Sequence, residues 1–354
     1  MKQFYFLIYL FVLISTAISC KQKIESVGIV DQLIGVEIFQ DEIGISSIYD
    51  VDDYLLLKMK RNVGYGFTLY LKSDLINPVA SFATFGEGPD EWGAIRATGQ
   101  TVLKNGINYL VLNDGFKNRI KFLNLDLLLS DSLETYDYTI DLDPKLGLTQ
   151  SLYFTEDSIL ISSAGIDSWE PGRLKFLDIA NDSSWTSPYF PRLADTSLNP
   201  HDYYMLYFSY IHYNPKLGLI ASTMDAFDRV DVFDIEGELN RSNIGQSDIY
   251  LTENTNLKTD QGITPYPIYY RHSTSSDKLI YGLYYNQLNI EIDQVEINPK
   301  ILVFDWQANL IKTFVVNENL TTIEVFQDDS FLIGIDQLNE KILIYDLTNK
   351  LGTK

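Results

Sequence analysis

The chain is poor in cysteine, in histidine and in positive charge, and each shortage excludes something. Cys20 is the only cysteine in 354 residues, so no internal disulfide can form. A domain of this length must then be held by its core, and long chains can do that because they bury most of their unfolded surface. The three histidines, His201, His212 and His272, stand at no ligand spacing, which argues against a zinc site. No metal and no cofactor is expected. Lys and Arg number 27 against 48 Asp and Glu, a net charge of −21. Nucleic acid needs the opposite balance, and direct adhesion to anionic headgroups is opposed as well. The acidity itself serves solubility. There is no Gly-x-Ser-x-Gly elbow, no low-complexity segment, and no stretch with helical periodicity of useful length.

What the chain does have is a repeat. Ile342-Leu343-Ile344-Tyr345-Asp346 is the last of six copies. The others are Ile301-Leu302-Val303-Phe304-Asp305, Val230-Asp231-Val232-Phe233-Asp234, Leu174-Lys175-Phe176-Leu177-Asp178, Ile120-Lys121-Phe122-Leu123-Asn124 and a degenerate Thr68-Leu69-Tyr70-Leu71-Lys72. Each is a short strand that turns on a polar residue. A second series precedes it, from Tyr54-Leu55-Leu56-Leu57 to Phe331-Leu332-Ile333, with turn residues such as Asp52-Asp53 and Asn105-Gly106 just ahead. Strand, polar turn and strand make a hairpin. The closing residues recur at 41 to 71 residues, mostly somewhat longer than the roughly 40 to 50 typical of propeller blades, with one expansion before Asp305. The many Tyr and Phe suit pleated faces.

A fourth strand follows each polar-ended one: Ile76 to Phe82, Leu133 to Ile140, Ser184 to Phe190, Glu238 to Ile244 and Leu310 to Val316. After Asp346 too few residues remain for another. The isolated strand-like segment Leu33 to Phe39 can supply it, closing the ring and removing an open sheet edge. The reading is an all-β, six-bladed β-propeller of four-stranded blades, a single domain over 33–354, preceded by a polar tether over 21–32.

Residues 1–20 read as an address. Lys2 is followed by the apolar run Phe4 to Ala17, which falls short of the roughly 20 residues needed to span a bilayer and fits a signal peptide. Ala17-Ile18-Ser19-Cys20 resembles the lipobox of bacterial lipoproteins, in which the cysteine becomes the first mature residue and carries lipid. Leu is commoner at the position of Ala17, and an ordinary cleaved signal peptide is the other reading. Lipidation of Cys20 explains why the sole cysteine stands there.

One inter-blade stretch is unlike the rest: Phe85-Gly86-Glu87-Gly88-Pro89-Asp90-Glu91-Trp92. With the lipobox and six blades, it resembles the TolB-like six-bladed propeller lipoproteins of Bacteroidetes. The resemblance implies the propeller and a cell-envelope location, here an outer-membrane lipoprotein facing the periplasm or the surface. It implies no established activity. Gly86 and Gly88 can take φ > 0, and the loop serves either as a structural plug or as a wall of a binding site. The connections between blades share one face with the turns between second and third strands. Function concentrates on such loops. Glu87, Glu91, Trp92 and Arg96, with His201 and Tyr203 of a long loop, are therefore the candidate ligand-binding residues, expected to line the channel mouth. His212 reads as a packed core residue. Asn113-Asp114 with Arg119, Asp225 with Arg229, and Asp336 with Lys341 read as hairpin caps or ion pairs. Two functions stay open. One is a lipid-anchored module binding an envelope protein, peptide or carbohydrate; the other is a channel-mouth lyase or hydrolase acting on carbohydrate or lactone.

Overall fold

The computed structural model describes residues 29–351, apart from 61–63, 89–90, 143–150, 156–157, 164–172, 196, 246–248, 260–261 and 293–296. Six sheets form the ring of a six-bladed propeller. Blade 1 runs Ile45–Val51, Tyr54–Met59, Tyr65–Leu71, Asp74–Thr84, and blade 2 runs Ile95–Lys104, Ile107–Asp114, Arg119–Asn124, Tyr136–Asp141. Blade 3 runs Leu152–Phe154, Ile159–Ser163, Leu174–Asp178, Ser183–Thr186, and blade 4 runs Ser209–Asn214, Leu219–Met224, Arg229–Asp234, Leu239–Ile244. Blade 5 runs Pro267–Ser275, Leu279–Leu288, Lys300–Asp305, Leu310–Val315. Blade 6 has Thr322–Val325, Phe331–Asp336 and Lys341–Asp346. Its outer strand is the N-terminal Val36–Ile38, antiparallel to Ile342–Ile344.

The repeat motif has a local cause. Every copy but the degenerate one, which ends on Lys72, closes on a side chain that accepts backbone N–H groups a few residues ahead. Asp178 takes those of Ala180 and Asn181, Asp234 those of Glu236 and Glu238, Asp305 those of Gln307 and Asn309. Such Asx-type turns satisfy backbone donors that the strand no longer pairs. Asn124 makes the same bond to Leu127 N, but there it caps a helix, Leu125–Asp131.

The second strands look unbroken in hydrophobicity because both of their faces are covered. Leu55 and Leu57 pack toward blade 6, among Ile333, Ile335 and Ile342. Leu56 points the other way, among Leu110, Leu112 and Trp92. A strand alternates its side chains between faces, so apolar residues at every position mean a neighbour on each side. The core is accordingly a ring of inter-blade clusters rather than one central mass.

Two features depart from the sequence reading. Ile29–Gln32, assigned to the tether, is a strand added in parallel to Leu310–Val315 as the fifth strand of blade 5. Asp31 pairs with Lys312 at 2.6 Å and Leu33 N–H donates to Val315 O. Helices also occur where none was expected. Pro200–Tyr207 lies inside the connection read as a loop, with Asn199 and Asp202 bonding each other's backbone as a capping box. The signal was the Asn-Pro-x-Asp sequence itself; the helix is too short to show periodicity.

Closure depends on Leu33, which is 1 % exposed and packs with Leu343 and Tyr345. Gly35 is required beside it, since a Cβ there would lie 2.8 Å from Leu343 Cδ2. Leu33→Ala should cost ~2–5 kcal/mol as a core truncation, read as a lower urea midpoint. Deletion of residues 29–39 should abolish the cooperative transition. An unchanged midpoint in both variants would show that the ring closes without this segment.

Candidate functional site

The propeller axis holds a cavity of about 260 Å³ lined by the first strands of all six blades. Its deep wall carries Tyr49, Tyr153, Tyr210, His212, His272 and Glu324. Its rim carries Asp52, Asn214, Asp277 and Gln327, which belong to the turns between first and second strands. The mouth therefore opens on the face opposite the inter-blade loops. Asp114 identifies that other face: it sits at a turn between second and third strands and accepts N–H bonds from Gly93 and Ala94 of the blade 1–2 connection.

Blade 2 shapes the wall by a bulge between Ala97 and Thr101. Gly99 has φ +77 there, and a Cβ would meet Asp50 O at 2.6 Å. The bulge turns Gln100 outward, where its amide donates to Phe154 O and accepts from Phe154 N–H. Blades 2 and 3 are thereby laced beside the cavity.

Glu324 is the most perturbed acid of the wall. Its Oε1 accepts the Asp50 N–H at 3.0 Å and its Oε2 the Thr274 hydroxyl at 2.9 Å. Burial pushes its carboxyl up to about 8, and the nearby Asp50 charge adds to the push. Asp50 is itself paired with Lys72 at 2.5 Å. Burial also holds His212 down at about 3 and His272 at about 4, so both imidazoles are neutral. His212 Nε2 lies 2.7 Å from Ser273 Oγ, which receives the Thr223 hydroxyl proton. His272 Nδ1 faces the Ile323 N–H at 3.5 Å. Burial raises the Tyr153 and Tyr210 hydroxyls. Among the described residues, neither hydroxyl has a hydrogen-bond partner.

The residues expected to line the mouth lie elsewhere. Trp92 is 0 % exposed, packed edge-on to Tyr136 with Lys121 Nζ 4.6 Å from its ring. It fills the blade 1–2 interface and offers no surface to a ligand. Glu91 folds back to accept the Gly88 N–H at 2.7 Å, and Lys117 Nζ donates to the carbonyls of Gly88 and Glu91. Gly86 is needed because a Cβ would collide with the Glu91 carboxylate; neither Gly86 nor Gly88 takes positive φ. The loop is a packed clasp. Glu87 is exposed, Arg96 half-buried within electrostatic reach of Lys58, Tyr49 and Tyr204. His201 is exposed on the 200–207 helix and Tyr203 stacks on Tyr207. These residues share the inter-blade face as expected, but none lines the axial cavity. Cys20 lies outside the described residues. Among the described residues no cluster of His, Cys, Asp and Glu could hold a metal.

The charged hairpins resolve three ways. Asp336 caps its turn through Asn339. Asp114 ties the neighbouring loop, while Arg119 pairs with Asp141. Asp225 is buried, lies near Arg271 and is pushed up to about 7 by burial. Arg229 goes to Asp231 instead. His212, read as core, lines the cavity. Tyr49, Tyr153, Tyr210, His272 and Glu324 were missed. The available signal was polar or aromatic residues at inward positions of the first strands.

A ring of six blades around one polar axial cavity defines a propeller whose first strands enclose a chamber. The profile of the TolB-like 6-blade propeller-like family matches residues 50–328, and the chain belongs to that family. No curated protein matches it. Among solved structures it is similar to a member of the duf4221 family from Bacteroides vulgatus, at 11 % identity and a TM-score of 0.57, covering 90 % of this chain and 96 % of that one. A candidate exported protein of Bacteroides fragilis gives 12 % identity and a TM-score of 0.49, covering 90 % and 98 %. At such identity the likeness concerns the fold alone.

The Glu324 shift has a testable sign. The folded state keeps this proton between 4.5 and about 8, where the unfolded chain has released it. Stability contributed there falls as pH rises through that window. Glu324→Gln should therefore gain on the parent from pH 5 to 8 and hold its advantage above. The histidines act oppositely: unfolded imidazoles take protons below about 6.5, so stability is lost as pH falls from there toward 4. Urea midpoints of the parent and Glu324→Gln from pH 5 to 9 check this; a constant difference would place Glu324 in an ordinary solvated setting. In the same assay Trp92→Ala should lose ~3–5 kcal/mol.

Proposed function

We propose that the protein is a lipid-anchored binding module of the bacterial envelope whose ligand enters the axial cavity. The observation that carries the binding reading is the cavity itself. It is concave, ringed by the first strands of the six blades, and lined by aromatic surface with a few polar groups, two of them hydroxyls without a partner among the described residues. Ligand sites have that composition. The anchor rests on Cys20 at the end of the apolar leader, and the family resemblance supports the envelope location. An outer-membrane position, periplasmic or surface-exposed, follows from the same reading. The partner is an envelope peptide, protein segment or carbohydrate small enough to reach the axis. No helix among the described residues is long and apolar enough to cross a membrane.

Two variants separate anchor from site. Cys20→Ala should lose lipid labelling and move from the membrane to the soluble fraction. Thr101→Trp should fill the cavity from blade 2. In a thermal-shift screen of glycans and peptides, ligands that stabilise the parent should fail with Thr101→Trp and still act on a variant of the opposite face, Glu87→Ala. Hits that survive Thr101→Trp would place the site elsewhere.

A further inference from the structure

The charge around the cavity is one-sided. Four carboxyl groups line it, those of Asp50, Asp52, Asp277 and Glu324, and among the described residues no Lys or Arg does. Two of the four are already matched, Asp50 by Lys72 and Asp277 by Lys216, an exposed lysine of the adjacent rim turn. Asp52 stands at the open rim, where it accepts the Asn108 amide. Glu324, at the deep end, forms no ion pair among the described residues; Lys72 reaches it only through space and is bound to Asp50. Each of its oxygens accepts one hydrogen bond from the protein, and a carboxylate has about four acceptor positions. The wall beside it is made of Tyr49, Tyr153 and Tyr210.

We propose that the axial cavity takes an organic cation, a primary ammonium, with Glu324 as its counter-ion. The proposal rests on the reading of the cavity as the binding site and names its ligand class. An ammonium has three donors. Glu324 and the Tyr153 phenol oxygen, which lies within electrostatic reach of Glu324 and has no hydrogen-bond partner among the described residues, are acceptors, and tyrosine faces attract cations by their quadrupole. An anion would meet four carboxyl groups, only two of them matched by lysines. A neutral polyol could use the hydrogen bonds but would gain nothing from ionisation of Glu324. The net charge of −21 draws cations toward the mouth.

The groups facing Glu324 set the proton balance. Asp50, Lys72 and Tyr49 face it from blade 1, Tyr153 from blade 3 and His272 from blade 5, with His212 of blade 4 behind. Lys72 is committed to Asp50, and both histidines are neutral, so none competes as its counter-ion. In the empty cavity burial keeps the Glu324 proton on until about pH 8. A bound ammonium favours the carboxylate. The proton leaves to the buffer as the ion pair forms, and no covalent bond changes. Affinity should then rise roughly tenfold per pH unit between 6 and 8 and flatten above, the slope for about one released proton.

Titration calorimetry of the full chain with butylammonium chloride and with N-acetyl-lysine amide tests this in two buffers of different ionisation enthalpy. Binding with release of about one proton at pH 7 is expected. The two probes distinguish a free amine from a lysyl side chain as the source. Glu324→Gln should abolish proton release and weaken binding at least about tenfold, as loss of a charge-assisted pair does, while its melting curve shows an intact fold. Cations that bind no better than methyl glucoside, or equally at pH 6 and pH 8, would overturn the proposal. If methyl glucoside binds and Thr101→Trp blocks it, only the ligand class fails. If no probe binds the parent, the cation reading and the cavity reading fall together.

Discussion

Every blade has two apolar faces, and that constraint governs the molecule. A sheet buried on one side only would leave residues such as Leu55 and Leu57, or Leu56, in water. Burying a large aliphatic side chain contributes roughly 1.5–3 kcal/mol, so a row of blades with free ends would expose many times that. The ring is the arrangement in which each face finds a partner. It works only if the sixth blade meets the first across Ile335, Ile342, Ile48 and Leu55, and if blade 6 receives its outer strand from residues 36–38.

The axial cavity follows from the same constraint. Six first strands brought around one axis by face-to-face packing leave space between them that their own side chains do not fill. Whatever those strands carry inward is removed from bulk water without being in the core. Glu324, His212 and His272 are perturbed for that reason: they are desolvated by geometry. The contrast with the Arg173–Asp231–Arg229 group is instructive. There two guanidiniums and one carboxylate are buried between blades 3 and 4, with Ser222, Ser242 and Tyr189 completing the bonds. Every charge has a charged partner, so the group reads as a built-in clamp; Glu324 forms no ion pair among the described residues.

The blades were legible because their signals are local. A turn-capping Asp and an apolar strand need only neighbouring residues, and the shortage of chain after Asp346 called for a closing strand. The parallel strand Ile29–Gln32 was not legible, since blade 5 already has four strands of its own and nothing in the repeat calls for a fifth. The candidate residues chosen from the sequence do not line the axial cavity, for a physical reason. The unusual composition of Phe85 to Trp92 encodes packing: glycines make room for the Glu91 carboxylate, and Trp92 fills an interface. The mouth lies where short, uniform turns leave the axis uncovered, and uniform turns attract no notice in a sequence. Glu324 sits in Thr-Ile-Glu-Val, an unremarked strand; only the ring shows that it points at Asp50 and Tyr153.

The extra strand on blade 5 has a mechanical meaning. Any force applied to the chain ahead of Ile29 meets the Ile29–Gln32 ladder and the Asp31–Lys312 pair first. Only after these peel away does tension reach Leu33 and the strand that closes blade 6. The four residues act as a sacrificial link. Tension on the chain ahead of Ile29 is taken up at the rim of one blade, and the lock of the ring stays unloaded.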